Sequence, residues 1–136
     1  MLLVKAWVGE SKIHGFGVIA HQFIPEGTVT WRLIPGIDVS LTMEELENLP
    51  PVVQDQVRYY GFFHPDYQRH IFCADDDRFT NHSDDANQRF CGDHSVATRD
   101  IHPGEELTDN YNEFGRPLHT EVLRPVSNLI LREKSA

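Results

Sequence analysis

Glycine, proline and aspartate interrupt this chain so often that few of its segments are long enough to form an extended helix. The 136 residues include nine glycines and eight prolines, which favour turns and end regular helices. Between these breaks lie short runs of β-branched, aromatic and other apolar residues, a pattern typical of short strands. The strand candidates are 2–8, 18–20, 28–31, 71–74, 95–98 and 105–108. We therefore predict a mostly β chain, with an irregular α+β arrangement as the alternative.

One stretch, at about 40–61, has a helical pattern instead. Thr42 can cap a helix that begins at Met43, and Glu45 at its third position would complete a capping box. Pro50-Pro51 then ends that helix or starts another. Apolar residues continue at helical spacing, at Val53, Val57 and Tyr60. The sequence thus predicts a small helical insert within the β framework.

The charge of the chain is strongly acidic. Its 12 lysines and arginines against 21 aspartates and glutamates give a net charge of −9. The basic residues are scattered, so we expect no direct binding to nucleic acid, which carries a phosphate about every 1.7 Å of duplex axis. A basic macromolecule suits this charge through electrostatic steering, and simple solubility is the alternative. No apolar run approaches the ~20 residues of a spanning helix, so we expect no membrane partner.

The cysteine and leader patterns give a second set of expectations. Cys73 and Cys91 are too few for a disulfide framework. With His82 and His94 they lack the C-x-x-C or H-x-x-x-H spacing of a zinc site, so we expect no metal. The first residues do not have the pattern of a secretory signal. We therefore expect reduced cysteines and a cytoplasmic location, with the nucleus of the cell or of a host as alternatives.

Three local patterns follow one another in a fixed order along the chain. The first is Gly-Phe-Gly-Val-Ile-Ala at 15–20, and the second is Arg-Phe-Thr-Asn-His-Ser at 78–83 with Asn87 beyond it. The third is Gly-Glu-Glu-Leu-Thr-Asp-Asn-Tyr at 104–111. Each pattern alone is a weak signal, because short glycine turns and Asn-His-Ser triplets recur by chance. Together, in this order, they resemble the SET domain, the fold of many protein lysine methyltransferases.

The resemblance runs from residue 12 to residue 114, and we expect one SET-like domain over 1–136 with a C-terminal flank at 115–136. It implies a β-clip fold of short, curved sheets. It also implies a pseudoknot, in which the C-terminal segment passes through a loop made by the preceding stretch, a connection that is rare in proteins. That threading would bring the Asn81-His82-Ser83 segment beside Tyr111.

The resemblance implies that the chain binds S-adenosylmethionine, with S-adenosylhomocysteine as product, and that lysine enters from the opposite face. The implied cofactor contacts are Gly15, Phe16, Gly17, Asn81, His82, Tyr111 and Phe114. The glycines would let the backbone approach the ligand closely, and Asn81 carries both a donor and an acceptor for its methionine moiety. His82 would present backbone groups to the adenine, and Phe114 would cover it. Ordinary turns are the alternative for the glycines and for Asn81.

Tyr111 is predicted to be the catalytic residue. Methyl transfer needs a neutral amine, yet free lysine has a pKa near ~10.4. A narrow apolar channel and the adjacent sulfonium would disfavour the ammonium, while the Tyr111 hydroxyl orients the amine. We expect His82 to act through its backbone rather than as a general base, and a half-buried strand aromatic is the alternative for Tyr111.

Two positions depart from the family pattern. Asp109 stands two residues before Tyr111, where many members have an aromatic residue that helps to set the number of methyl groups added. Leu33 stands where a second family tyrosine usually lies, and the aromatic wall would then come from Trp31, Tyr59, Tyr60 or Tyr67. We predict Trp31, Tyr60 and Asp109 as substrate-channel residues, with core packing as the alternative for the aromatic ones.

The sequence therefore predicts an enzyme that transfers a methyl group from S-adenosylmethionine to a lysine of a basic protein, such as a histone or a ribosomal protein. The alternative is a catalytically weak or inactive module that binds a protein or the cofactor, which Asp109 and Leu33 favour and Asn81, His82 and Tyr111 disfavour. The cysteine-rich segment that follows many SET domains is absent. The last 25 residues, or a second copy of the chain in a homodimer, would then close the cofactor site.

Overall fold

The structure, a computed structural model, describes residues 1–114 of the chain. The C-terminal flank, 115–136, and the packing expected of its apolar residues lie outside the described residues. Within 1–114 the chain forms ten short strands, two α-helices and two 3₁₀ turns. The strands are β1 Ala6–Glu10, β2 Phe16–Ala20, β3 Val29–Arg32, β4 Val39–Leu41, β5 Phe62–His64, β6 Arg69–Phe72, β7 Asn81–His82, β8 Gln88–Phe90, β9 His94–Ala97 and β10 Glu106–Asp109. The helices are α1 Met43–Glu47 and α2 Pro51–Tyr60, and the 3₁₀ turns are Asp76–Phe79 and Tyr111–Glu113.

The first sheet joins the three sequence patterns and has the strand order β1-β2-β10-β7. The hairpin β1–β2 is antiparallel, and β10 adds to it antiparallel with Leu107 opposite Val18. On its other side β10 runs parallel to β7, with Thr108 opposite Asn81 and Asp109 opposite His82. The Asn-His segment therefore lies beside the strand that leads into Tyr111, as predicted.

Apolar residues from the first sheet and from neighbouring loops form one core. In β2, Val18 and Ala20 point inward because side chains alternate along a strand. They pack with buried side chains from other parts of the chain, namely Ile24, Ala97, Ile101 and Leu107. Each large aliphatic side chain buried in this way stabilises the fold by about 1.5–3 kcal/mol. This core anchors the hairpin and β10, on which the sequence patterns lie.

The other two sheets contribute to a second, aromatic cluster. Their strand orders are β3-β9-β8 and β4-β6-β5. The buried members of the cluster are Trp31, Phe62, Ile71, Cys73, Tyr111 and Phe114. The cluster thus joins β3, β5 and β6 to the chain just after β10, and Leu33 and Phe90 pack against its edge.

The helical insert forms as predicted, with one difference in its buried face. The Thr42 hydroxyl accepts from the Glu45 amide at 3.1 Å and the Glu45 carboxylate accepts from the Thr42 amide at 2.7 Å, which completes the capping box. Pro51 begins α2 at a position where a missing N–H costs nothing. The buried residues of α2 are Val57 and Tyr59, whereas the predicted Val53 and Tyr60 are only half-buried.

The first strand differs from the prediction, and so does the acidic triplet Asp75-Asp76-Asp77, whose sequence predicts a solvated polar turn. The predicted strand 2–8 is divided, because Leu2 bridges to Trp31 of β3 before the chain turns to pair with β2 from Ala6 onward. Side chains go on alternating between the two faces of the sheet through this change of pairing partner, so the sequence pattern does not show where the strand divides. In the triplet at 75–77, Asp75 caps a 3₁₀ turn and Asp77 is buried rather than solvated.

No helix among residues 1–114 is long and apolar enough to cross a bilayer.

Candidate active site

The turn between β1 and β2 is built around Ser11. Its hydroxyl oxygen accepts from the amides of Ile13 and His14, at 2.9 and 3.2 Å. Its own amide donates to the Gly15 carbonyl at 2.9 Å. Gly15 has a φ of +50°, in the left-handed region that favours glycine. The turn therefore has one defined shape and presents Gly15 and Phe16 at its tip.

Asn81 ties this turn to β10. Its side-chain nitrogen lies 2.9 Å from the Phe16 carbonyl, 3.1 Å from the His14 carbonyl and 2.8 Å from a Glu106 carboxylate oxygen. Each of these neighbours is an acceptor, so the orientation of the amide is determined and its two N–H groups are shared among them. Asn81 thus holds the turn in place, and its predicted contact with the cofactor stays a prediction.

Glycine at position 17 is required by the carboxylate beside it. A Cβ atom there would lie 2.1 Å from the Glu106 oxygen and 3.2 Å from the Asn81 nitrogen. The same carboxylate accepts from the Ser11 hydroxyl at 2.9 Å. Of the two adjacent glutamates, Glu106 is therefore the structural one, while Glu105 is exposed and accepts from the His102 amide. Gly17 and Glu106 hold the site together, and neither borders either of the two cavities described below.

The loop after β7 is fixed to β10 by His82 and Asn87. The Tyr111 amide donates to Nδ1 of His82 at 3.0 Å, so the neutral ring carries its proton on Nε2, which faces Asp84 at 3.0 Å. Both ring nitrogens are engaged, which agrees with a structural role rather than that of a general base. The Asn87 side chain accepts from the Thr108 amide and donates to the Glu106 carbonyl, each at 2.8 Å, and so ties the loop to the backbone of β10.

Tyr111 is almost fully buried at the centre of this arrangement, with 2% of its surface exposed. Its hydroxyl donates to the Thr80 carbonyl at 2.5 Å. Its ring lies 5.2 Å from that of His82 and 5.9 Å from that of Phe114. The predicted catalytic tyrosine is therefore held at both ends, by its backbone amide and by its hydroxyl.

A cavity of about 420 Å³ opens beside the glycine turn. Gly15 and Phe16, both predicted as cofactor contacts, border it. The remaining wall consists of Val8, His14, Tyr59, Tyr60, Arg78 and Phe79. Sequence reasoning missed Arg78 and Phe79 as wall residues, although they begin the second pattern and directly precede Thr80. The larger cavity thus lies where the first and second patterns meet.

A second, smaller cavity of about 20 Å³ lies inside the aromatic cluster. All three predicted channel residues, Trp31, Tyr60 and Asp109, border it, although they come from three different elements. The other lining residues are Phe62, Cys73, Asp77, Phe90, Ser95 and Phe114. Phe114, expected to cover the adenine, thus borders this smaller cavity and not the larger one. The sequence does not indicate that Asp77 borders a cavity, because an acidic triplet is typical of a solvated turn on the surface.

The smaller cavity has two carboxylates and a thiol among its aromatic walls. Asp77 and Asp109 are 9% and 8% exposed. Burial raises the pKa of the Cys73 thiol well above its usual range, and the nearby Asp77 carboxylate acts in the same direction, so Cys73 remains a thiol. The indole nitrogen of Trp31 is buried and has no hydrogen-bond partner among residues 1–114. Among residues 1–114, no group of three or more His, Cys, Asp or Glu is placed to hold a metal ion.

The two cavities are neighbours, because Tyr60 borders each of them. Tyr111 is not a wall residue of either cavity, but it contacts residues close to both. Its hydroxyl reaches Thr80, which follows Phe79 of the larger cavity, and its ring packs on Phe114 of the smaller one. The arrangement can therefore hold a large ligand in one cavity and a narrow group in the other, with Tyr60 where the two cavities meet.

Comparison with known families identifies this arrangement. The sequence pattern of the SET domain matches residues 15–112, which is most of the chain. The chain belongs to the SET domain family. The matched range contains all three sequence patterns, and the mostly β fold with short sheets is that of the family. A comparison with curated proteins finds no match.

Solved structures with the same fold include three proteins at low sequence identity. One is a Plasmodium falciparum protein described as a histone methyltransferase, with 19% identity, a TM-score of 0.57 and coverage of 81% of this SET domain and 95% of that chain. The second is a humanized mutant of the Chaetomium thermophilum Polycomb Repressive Complex 2, with 22% identity, a TM-score of 0.61 and coverage of 90% of this chain. The third is an apo ctPRC2 with mutations in Ezh2, with 22% identity, a TM-score of 0.62 and the same 90% coverage. The SET domain spans only 16% and 17% of the last two chains.

Proposed function

We propose that this SET domain transfers a methyl group from S-adenosylmethionine to the lysine ε-amine of a basic protein. The observation that carries the proposal is the pair of cavities that share Tyr60 as a wall residue. Tyr111 contacts Thr80, which follows Phe79 of the larger cavity, and Phe114 of the smaller one. One cavity is large enough for a cofactor, and the other is narrow and lined by aromatic rings. A transfer between two ligands needs such a meeting point, because the reacting atoms must come within about 3–3.5 Å of each other.

The larger cavity fits the proposed cofactor in size and in chemistry. Its volume of about 420 Å³ lies within the ~300–1,000 Å³ that is usual for small-molecule sites. The rings of Phe16, Tyr59 and Phe79 offer apolar faces to an adenine, and the Gly15 backbone is free of a Cβ. When bound, S-adenosylmethionine supplies an electrophilic methyl group on a sulfonium. The chain's part is to position that group and to exclude water around it.

Tyr111 is the proposed positioning and electrostatic group at the meeting point. Its buried hydroxyl is held by the Thr80 carbonyl, so its oxygen lone pairs have a fixed direction. A fixed oxygen next to a sulfonium and an amine favours the positive charge that both carry during transfer. The amide of Tyr111 is held by His82, which limits movement of the whole residue.

The acidic charge of the chain supports a basic substrate. A net charge of −9 attracts lysine-rich proteins such as histones or ribosomal proteins during diffusional encounter. The histone methyltransferase described for Plasmodium falciparum has the same fold, which is compatible with a substrate of this class. Specific recognition of one lysine would fall to the helical insert, whose Tyr60 borders both cavities.

The test is transfer of tritium from labelled S-adenosylmethionine to a mixture of core histones and ribosomal proteins. We expect labelled protein with the wild-type chain. The Tyr111→Phe variant, which loses only the hydroxyl, should lower turnover by about 100-fold, the loss typical of removing one fixed electrostatic group. Calorimetric binding of S-adenosylhomocysteine should change little, because the variant keeps the ring, the product lacks the sulfonium charge, and Tyr111 is not a wall residue of the larger cavity.

Three results would contradict parts of this proposal. Full activity in Tyr111→Phe would remove the hydroxyl from the mechanism. Cofactor binding without any labelled product would favour the binding module without turnover. Absence of heat with S-adenosylhomocysteine at high micromolar concentration would exclude the cofactor from the larger cavity.

A further inference from the structure

Tyr111 is bonded to two residues of one short segment that lies far before it in the sequence. Its hydroxyl donates to the Thr80 carbonyl at 2.5 Å, and its amide donates to Nδ1 of His82 at 3.0 Å. The first bond uses a backbone carbonyl, which accepts at any ordinary pH. The second uses an imidazole nitrogen, which accepts only while the ring is neutral. The hydrogen bonding of the Tyr111 backbone therefore depends on the protonation of His82.

The other ring nitrogen of His82 has a partner that favours the charged ring. Nε2 lies 3.0 Å from Oδ1 of Asp84, a carboxylate two residues further along the same loop. In the neutral ring, Nε2–H donates to this carboxylate while Nδ1 accepts from the Tyr111 amide. In the charged ring both nitrogens carry protons, so the Asp84 contact becomes an ion pair and the Tyr111 amide loses this acceptor. Asp84 and Tyr111 thus favour opposite protonation states of one ring.

The strand that packs beside His82 holds its backbone in either protonation state. Asp109 of β10 is opposite His82 in the parallel pairing, and its carbonyl accepts from the Ser83 amide at 3.0 Å. The Asp109 carboxylate, the charged group on this strand, accepts from the Gln88 side chain at 3.3 Å. With 20% of its side chain exposed, His82 can exchange a proton with solvent. Protonation therefore changes the contact to Tyr111 without removing the strand pairing.

We propose that the neutral His82 ring is the positioning residue for Tyr111 and that its protonation releases the Tyr111 amide. The effect on turnover rests on the proposed function, whereas the release itself does not. Histidine changes its charge between about pH 5 and pH 8. As the pH falls through this range, a proton from solvent binds Nδ1 and the amide loses its acceptor. Because a displacement of about 1 Å can lower a rate about 100-fold, methyl transfer should slow when Tyr111 loses this bond.

The direct test observes the Tyr111 amide and needs neither cofactor nor substrate. Selective ¹⁵N labelling of tyrosine gives four backbone amide resonances, one for each tyrosine of the chain. The Tyr111 resonance is identified by its absence in Tyr111→Phe, and the amide of Tyr59, inside α2, reports on the integrity of the fold. Between pH 8.5 and pH 5.5 we expect the Tyr111 resonance to follow a single-proton titration. In His82→Asn, whose side-chain oxygen can replace Nδ1 as acceptor but does not titrate, it should stay fixed.

Asp84 and Asp93 provide a matched pair of variants. The Asp93 carboxylate lies 2.7 Å from Nδ1 of His94, so each aspartate faces a histidine of its own. Asp84→Asn removes the partner of the charged ring, so the midpoint of the Tyr111 titration should move to lower pH. The expected change is roughly 0.2–0.7 pH units, the size of an exposed ion pair. Asp93→Asn, which lowers the net negative charge equally, should leave the midpoint in place.

The kinetic test uses the ratio of the methyl-transfer rates of the wild-type chain and His82→Asn, with core histones as substrate. The titration of the substrate lysine and of the other histidines is common to both chains, so the ratio isolates His82. We expect the ratio to be constant above about pH 8 and to fall by up to about tenfold per pH unit as a histidine becomes charged. At pH 8.5, His82→Ala, which has no acceptor, should have a lower kcat than His82→Asn, with a similar KM for histones.

The two measurements separate the inference from the proposed function. A Tyr111 resonance that stays fixed down to pH 5.5, or that moves equally in His82→Asn, overturns the inference whether or not the chain transfers methyl groups. A titrating resonance in a chain without methyl transfer contradicts the proposed function and supports the release of the amide. A rate ratio that ignores pH while the resonance titrates overturns the positioning role. If His82→Asn does not fold, the wild-type titration and its change in Asp84→Asn still decide the inference.

Discussion

At the scale of single residues, the site depends on the Glu106 carboxylate, which borders neither of the two described cavities. Glu106 bonds both the Ser11 hydroxyl and the Asn81 amide, and these two in turn shape the turn that ends at Gly17. Only glycine leaves room for that carboxylate, since a Cβ at position 17 would overlap it. The two glycines of the Gly-Phe-Gly pattern are therefore needed for different reasons. Gly15 adopts a left-handed backbone conformation, and Gly17 leaves room for the Glu106 carboxylate.

This contact predicts the effect of adding one methyl group. Gly17→Ala should displace the Glu106 carboxylate and lower the free energy of unfolding by about 1.5–3 kcal/mol, the usual worth of a hydrogen bond to a charged group. Urea denaturation of Gly17→Ala, Glu106→Ala and the double variant checks the cause. If the loss passes through Glu106, the double variant should be no less stable than Glu106→Ala alone. Additive losses would instead place the strain in the backbone of β2.

At the scale of elements, the first helix of the insert is stabilised by a capping box between residues that are close in the sequence. Thr42 and Glu45 bond each other's backbone amides, and the same Glu45 carboxylate lies 3.2 Å from Arg69 of β6. The backbone hydrogen bond from Thr42 lowers the pKa of Glu45, so this carboxylate stays ionised at neutral pH. A helix of five residues has little stability of its own, and this cap is a large part of it.

The cap predicts a modest and specific loss of stability. Thr42→Ala removes the hydroxyl that accepts from the Glu45 amide and should cost about 1 kcal/mol in urea denaturation. Thr42→Ser keeps the hydroxyl and is the matched control, with stability close to wild type. Equal stability of the alanine and serine variants would show that the packing of α1 against α2 and β6 replaces the cap.

Local signals such as this one were readable in the sequence, whereas contacts between distant residues were not. The capping box, the Pro51 helix start and the short strands follow from side-chain chemistry within a few residues. The pairing of β7 with β10 came from the family resemblance, since no local pattern encodes it. The burial of Asp77 was not evident because an acidic triplet is typical of a solvated turn. It depends on residues distant in the sequence, such as Trp31 and Phe114, with which Asp77 borders the smaller cavity. The grouping of Trp31, Tyr60 and Asp109 was predicted, but their shared cavity with a second carboxylate was not.

At the scale of the whole molecule, the acidic charge has a measurable consequence for substrate encounter. Charge attraction over the surface is screened by salt, with a Debye length of about 10 Å at 0.1 M. The apparent KM for core histones should therefore rise several-fold between 0.05 and 0.3 M potassium chloride. Binding of S-adenosylhomocysteine, measured under the same conditions, is the control for general effects of salt. A KM that does not respond to salt would indicate that the charge serves solubility alone.

Tyr60 is the last residue of α2 and also a wall of both cavities. Under the proposed function, the helix that would recognise the substrate protein therefore also forms part of the wall between the methyl donor and the lysine that accepts the methyl group. Exchanging this insert for that of a relative, as a route to a new target protein, would alter the cofactor side at the same time. In this chain, the choice of target protein and the geometry of the proposed site would therefore depend on the same residue. A variant with a new insert would need an aromatic side chain at the position of Tyr60.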